Sequence, residues 1–237
     1  MTDIESHETD VSGSPLNPKS KIQNPKFLRG ISRNVFVLGV VSFFTDVAGE
    51  MIVPIRSLFL YTLLLTPAPI VGLIEGLAEA ASSLLKVAGG VASDRVGARK
   101  PFILFGYSLS GLVKPFLALV SGWLPALLII FGDRVGKGVR TSPRDALLAD
   151  STEPRYMGKA FGFHRSLDSL GAAIGPLLTA LILTLSNNDY RAVFAWTAIP
   201  GALSVFVILF FLREKTKDGM RQGPGTRDQG SGVGDQR

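Results

Sequence analysis

The sequence predicts an all-α fold, a polytopic membrane bundle of six transmembrane helices. Three observations predict it. Six apolar runs each approach the length that a bilayer core of about 30 Å demands, about 20 helical residues. Lysines and arginines collect in alternate loops. Charged residues recur inside the apolar runs at steps of three and four, the period of one helix face.

The distribution of polar residues matters more than the average composition. They are pushed to the two ends and to short loops. Residues 1–29 read as a disordered cytoplasmic tail, residues 30–213 as the bundle, and residues 214–237 as a second disordered cytoplasmic tail. The chain has no cysteine, which excludes a disulfide framework and a thiolate metal site. A formal charge of +6 could suggest nucleic acid, but the bases lie beside apolar segments in alternate loops, so no nucleic-acid partner is expected. The bilayer itself is the expected environment.

The segments run roughly Asn34–Leu60, Pro69–Ala92, Phe102–Val120, Leu124–Val139 with an extension to about Ala149, Ala160–Leu185 and Ala192–Leu212. Lys19, Lys21, Lys26, Arg29 and Arg33 precede the first. Arg95, Arg99 and Lys100 follow the second, and Arg140, Arg144, Arg155 and Lys159 follow the fourth. Arg213, Lys215 and Lys217 follow the sixth. The first loop (Thr62–Ala68) and the third (Ser121–Pro125) carry no base, and the fifth carries only Arg191. Both termini are therefore expected on the cytoplasmic side of a cell (inner) membrane. Tyr61, Trp123 and Tyr190 fall where interfacial aromatics belong. Arg56 reads as a base that snorkels to the interface.

Charges inside the segments point to function. Asp46 and Glu50 stand one turn apart in the first helix, with Asp46 about 18 Å from its start, near the midplane. The second helix carries Gly72, Glu75, Gly76, Glu79, Ser83, Lys86 and Gly90 on one face. The third carries Gly106, Ser110 and Lys114, the fourth Asp133 and Arg134, the fifth His164, Arg165 and Asp168. A central charge costs about 2.5–3.5 kcal/mol on the insertion scale, and one strong apolar residue returns about 0.3–0.6 kcal/mol. The second helix therefore inserts poorly alone, and its polar face must meet other helices or a wet cavity. The acids Asp46, Glu50, Glu75, Glu79, Asp133 and Asp168 are expected to face the bases Lys86, Lys114, Arg134 and Arg165. Such a set reads either as a substrate or proton path or as ion pairs that hold helices together. His164 reads as a packing or hydrogen-bonding group. No nucleophile–base pair, metal-ligand cluster or phosphate loop is recognisable, so no enzyme, metal or cofactor is expected.

Three local patterns remain. The run from Gly90 through Asp94, Arg95, Gly97, Arg99 and Lys100 to Pro101 is a short charged turn between two apolar segments, read as a membrane-surface loop. Arg134 stands four residues before Gly138. Gly162, Gly171, Gly175 and Pro176 form a small-residue groove followed by a bend. These resemble motifs A, B and C of the major facilitator superfamily, in the right loop and helices, over about residues 30–215. Ala98 stands where motif A has a base, and Thr179-Ala180 stands where motif C continues with a Gly pair.

The resemblance implies the N-terminal six-helix half of a transporter. The first and fourth segments start about 90 residues apart and both carry mid-helix charges, compatible with a 3+3 inverted repeat. The implied function is a secondary, proton-coupled carrier of a small solute, of an efflux or antiport kind. Asp46, Glu50, Glu75, Glu79, Lys86, Lys114, Asp133 and Arg134 are the candidate transport and proton-coupling residues, and Gly90–Lys100 the gate. A second six-helix half, from a copy of this chain or a separate one, is the implied partner, alongside the solute and a proton or cation. The alternative expectation is a truncated or non-transporting membrane subunit.

Overall fold

The computed structural model describes residues 30–213, so both expected tails lie outside the described residues. Six long helices make up this region: α1 (Arg33–Leu63), α2 (Ala68–Val96), α3 (Lys100–Leu119), α4 (Trp123–Asp150), α5 (Pro154–Leu185) and α6 (Tyr190–Phe211). No strand occurs among the described residues. Helices α1, α3, α5 and α6 are long and apolar enough to cross a membrane. The other two, α2 and α4, are the most heavily charged and are not among those four, although 29 and 28 residues give each a reach of about 42 Å. All six expected segments thus meet the length requirement, and the two rich in charge depend on their neighbours for a polar surrounding.

Prolines decide where the helices bend. Pro54 has no N–H for the Glu50 carbonyl, and α1 turns at Met51 and Ile52 before resuming at Val53. Its last turn, Phe59–Leu63, is widened to i→i+5 bonding. Pro115 lies where α3 tightens into a 3₁₀ stretch from Lys114 to Leu119. Pro143 sits inside α4 without ending it. In its C-terminal half α4 carries Arg140 and Arg144, which the sequence counts among the bases after the fourth segment and which fall within that segment's extension to about Ala149. Helix α2 likewise continues through Val96. The charged run expected as a loop is mostly its last two turns, and Gly97, at φ +72°, makes the actual turn while its N–H donates to the Ser93 carbonyl at 3.0 Å.

The helices form an open arc in the order α2, α4, α3, α6, α1, α5. Exchanging α1 with α4, α2 with α5, and α3 with α6 maps this neighbour order onto itself, which is the pattern of a 3+3 repeat. Small residues set the seams. A Cβ on Gly106 would lie 2.5 Å from the Gly136 carbonyl oxygen, and one on Gly136 would lie 2.6 Å from that of Gly106, so α3 and α4 touch backbone to backbone. Gly111 and Gly201 join α3 to α6 in the same way, and Gly89 lies against the Val139 carbonyl that Pro143 leaves without its helical donor. Two apolar clusters lie toward opposite ends of the helices. One gathers Met51, Ile55, Phe59, Ile74, Ala126 and Phe194; the other gathers Val35, Leu38, Ile103, Tyr107, Leu147 and Ile208.

Candidate functional site

Between the apolar layers lies a polar interior. A small cavity of about 70 Å³ is walled by Asp46, Glu50 and Arg56 of α1, Ser110 and Lys114 of α3, and Asp133, Arg134, Lys137 and Arg140 of α4. It is continuous in its lining with a larger cavity of about 420 Å³, which shares Asp46, Glu50, Lys137 and Arg140 and adds Lys86 of α2, Arg144 and Asp145 of α4, and Arg165 and Asp168 of α5. The larger space sits in the mouth of the arc, with all four of α1, α2, α4 and α5 contributing.

Two ion pairs tie helices together around it. Lys114 Nζ lies 2.6 Å from Asp133 Oδ1 and 3.2 Å from the Ser110 carbonyl oxygen, and it also donates to Ser110 Oγ. Ser110 Oγ in turn donates to Asp133. Every donor of the ammonium is thereby used, as a cation buried to 5 % exposure requires. Arg56 meets Glu75 through both nitrogens of its fork, Nε to Oε1 at 2.7 Å and Nη2 to Oε2. Arg56 is therefore no snorkelling residue. Its side chain is 12 % exposed and bridges α1 to α2, because Glu75 lies within reach across the seam.

A third set of contacts runs through α4. The Arg140 guanidinium lies 4.0 Å over the Tyr107 ring. Tyr107 Oη and Ser42 Oγ are 3.5 Å apart, and Arg144 Nη1 donates to Ser42 Oγ at 3.3 Å. Arg144 also pairs with Asp145 at 2.8 Å. On α5, His164 Nδ1 is 3.5 Å from Asp168 Oδ2, and the exposed Arg165 is 3.9 Å from the same oxygen.

Of the expected residues, Asp46, Glu50, Lys114, Asp133 and Arg134 are brought together in one cavity, and Lys86 reaches the adjoining one. Glu75 is held by Arg56. Glu79 lines neither cavity. The polar face of α2 expected to be covered is in fact the open one: Glu79 and Lys86 are exposed, and a Cβ on Gly72 or Gly76 would meet nothing within 4 Å. The covered face is instead Ile74, Ala78, Ser82, Gly89 and Ser93, equally small and equally spaced, which suits the close approach of α4. Arg165 is likewise exposed rather than turned inward. Lys137, Arg140 and Tyr107 are functional candidates that the sequence reading passed over. Lys137 lies in the fourth expected segment, Arg140 in its extension to about Ala149 and Tyr107 in the third segment; the available signal is the step of three from Arg134 to Lys137 to Arg140 along one helix.

In the expected gate, Arg99 links the end of α2 to the end of α4, 3.5 Å from Asp94 and 3.0 Å from Asp150. Arg95 is exposed, and Gly90 lies against Ser142 of α4. In the groove of α5, Gly171 faces the Phe43 carbonyl at 2.6 Å and Gly175 faces Glu50 Cβ at 2.7 Å, both measured to an added Cβ. Gly162 faces nothing within 4 Å. Thr179, which replaces the expected glycine, donates to the Met51 carbonyl at 2.7 Å, where the Pro54 break has disturbed the helical bonding.

A bundle of long apolar helices around a charged interior defines a multi-pass membrane protein. The family model of the Major Facilitator Superfamily matches residues 38–231. An uncharacterized MFS-type transporter of Methanocaldococcus jannaschii is 37 % identical over 187 residues, covering 79 % of this chain and 46 % of its own length. The multidrug resistance protein MdtH of Photorhabdus laumondii is 32 % identical over 151 residues, covering 62 % of this chain and 35 % of its own. Among solved structures, a POT family transporter in complex with 5-aminolevulinic acid superposes with TM-score 0.68 at 17 % identity, over 78 % of this chain and 41 % of that one. This chain belongs to the major facilitator superfamily. It spans about half the length of the relatives it matches.

Proposed function

We propose that this chain forms one half of a proton-coupled secondary carrier of a small solute, working against a second six-helix half. The single observation that carries the reading is an unpaired confrontation across the cavity. Asp46 and Glu50 stand on α1, and Arg134, Lys137 and Arg140 stand on α4, with no ion pair to any of the five among the described residues. Lys114–Asp133 and Arg56–Glu75 already serve the structural purpose of joining helices. Charges left unpaired at membrane depth are costly, and a solute and a proton are what they can bind.

The open edges support the second half as partner. The two ends of the arc, α2 and α5, present Gly72 and Gly76, and Gly158 and Gly162, with nothing within 4 Å of an added Cβ. Small-residue faces of this kind suit close helix contact in a bilayer. Motion of the two halves about the shared cavity would give alternating access, with the Arg99-linked ends of α2 and α4 as the gate on that side. Lys100, Arg155 and Arg213 cluster at the same end of the bundle as Arg33, which supports cytoplasmic termini in a cell inner membrane. The relatives named multidrug resistance protein support an efflux direction, of the antiport kind that the Gly171–Gly175 groove resembles.

The test is proton movement in proteoliposomes that hold the chain with its second half. Solute-dependent dissipation of an imposed pH gradient should collapse for Asp46→Asn and for Arg134→Ala. Unchanged dissipation in both variants removes the assignment.

A further inference from the structure

We infer that the solute bound in this cavity is an anion, held through a carboxylate or phosphate group by Arg134, Lys137 and Arg140 of α4. The inference rests on the carrier reading and names its substrate class. Charge bookkeeping over the cavity walls comes first. Asp133 is matched by Lys114, Asp145 by Arg144, and Asp168 in charge by Arg165 at 3.9 Å, although Asp168 Oδ1 itself is buried without a hydrogen-bond partner. That leaves Asp46 and Glu50 as free acids against Arg134, Lys137, Arg140 and Lys86 as free bases. The cavity walls therefore carry more unmatched positive charge than negative, and a cationic solute would add to the excess.

The decisive group is Arg140. It is 5 % exposed, it lines both cavities, and its Nη1 is buried without a hydrogen-bond partner. Tyr107 holds the face of the guanidinium at 4.0 Å, so the ring fixes the plane and leaves the edge free to donate. A planar fork with an unused N–H is the group that binds an oxyanion in two-point fashion. Lys137 lines both cavities with Arg140, and Arg134, three residues before Lys137 on the same helix, lines the small one, so a solute in the larger space meets Lys137 and Arg140 and reaches Arg134 where the two cavities adjoin. A neutral solute would leave the excess charge in place. The cavity of about 420 Å³ has room for a metabolite-sized anion.

The experiment measures binding to the full 237-residue chain in lipid nanodiscs by calorimetry at fixed ionic strength. The probes are succinate, citrate, inorganic phosphate and, as the contrary case, tetraphenylphosphonium. Saturable binding of an oxyanion is expected, weakened tenfold or more by Arg140→Gln and by Lys137→Gln, and unchanged by Arg155→Gln at an exposed position in the first turn of α5, outside both cavities. The carboxylates and phosphate as separate arms identify which oxyanion is taken. Lys137 is exposed, so its variant keeps the test open where Arg140→Gln fails to fold. Absence of oxyanion binding overturns the inference, as does binding that neither variant weakens, or binding of the organic cation alone. Binding needs no transport. Oxyanion binding without any proton-coupled flux would sink the carrier reading and leave this inference standing.

Discussion

Lys114 Nζ lies 2.6 Å from Asp133 Oδ1, and this pair joins α3 to α4 at the wall of the cavity. Both side chains are largely withdrawn from solvent, at 6 % and 17 % exposure. Breaking a buried pair by removing one partner leaves an uncompensated charge, whereas removing both does not. Lys114→Met is therefore expected to lower stability by about 3–5 kcal/mol, and Lys114→Met with Asp133→Leu by much less. Thermal unfolding in detergent reads both. A double variant as unstable as the single one would show that the pair is uncoupled.

Glycine substitutions should divide by seam. A methyl on Gly136 would be driven into the Gly106 carbonyl oxygen at 2.6 Å, and backbone cannot move aside as a side chain can. Gly136→Ala should cost about 1–3 kcal/mol. Gly162→Ala meets nothing and replaces a poor helix former, so the chain alone should gain up to about 1 kcal/mol. Opposite signs in the same unfolding assay are the expected result.

The helical period, the alternation of bases and the mid-helix charges were enough to read the six-helix half and to assemble Asp46, Glu50, Lys114, Asp133 and Arg134 around one space. What remained illegible has physical causes. On α2 two stripes compete, Gly72–Glu75–Gly76–Glu79 and Ile74–Ala78–Ser82–Gly89, and small residues pack as well as polar ones do in a bilayer. Only the position of α4 decides between them. On α4 the apolar run ends near Val139, and Pro143 lies in the polar extension beyond it. The proline is tolerated because the interior of a helix bundle can absorb a missing bond, and Gly89 makes room for the freed carbonyl. Arg140 and Arg144 fall in that extension and count equally well as bases of the following loop, so the sequence leaves their inward placement open.

Thr179 should behave as a hydrogen-bond donor rather than as a packing residue. Its hydroxyl reaches the Met51 carbonyl at 2.7 Å from within α5 and is buried at 3 % exposure. Thr179→Val keeps the shape and loses the donor, at an expected cost of about 1–2 kcal/mol. Thr179→Ser should restore most of it. A loss in Thr179→Ser with none in Thr179→Val would mean that the methyl, not the hydroxyl, matters.

Topology can be read cleanly because the chain has no native cysteine. Ala98→Cys lies in the turn between α2 and α3, and Ser121→Cys in the turn between α3 and α4. An impermeant maleimide added to right-side-out vesicles should label the second and spare the first until the membrane is opened. The reverse pattern would invert the assigned orientation.

Asp46 and Arg140 should have opposite effects on an anion. Asp46 lines both cavities with Lys137 and Arg140, and its carboxylate makes no ion pair among the described residues. Its negative charge therefore repels an incoming oxyanion while it offsets the bases of α4. Asp46→Asn removes that charge and keeps the shape. The expected gain in anion affinity is on the order of 1 kcal/mol, or about fivefold, for a partly hydrated site of intermediate dielectric. The same substitution should abolish proton coupling, so binding and coupled flux would move in opposite directions within a single variant. A loss of oxyanion binding in Asp46→Asn would mean instead that this carboxylate, or a proton it carries, touches the solute directly, and the division of labour between α1 and α4 would fail.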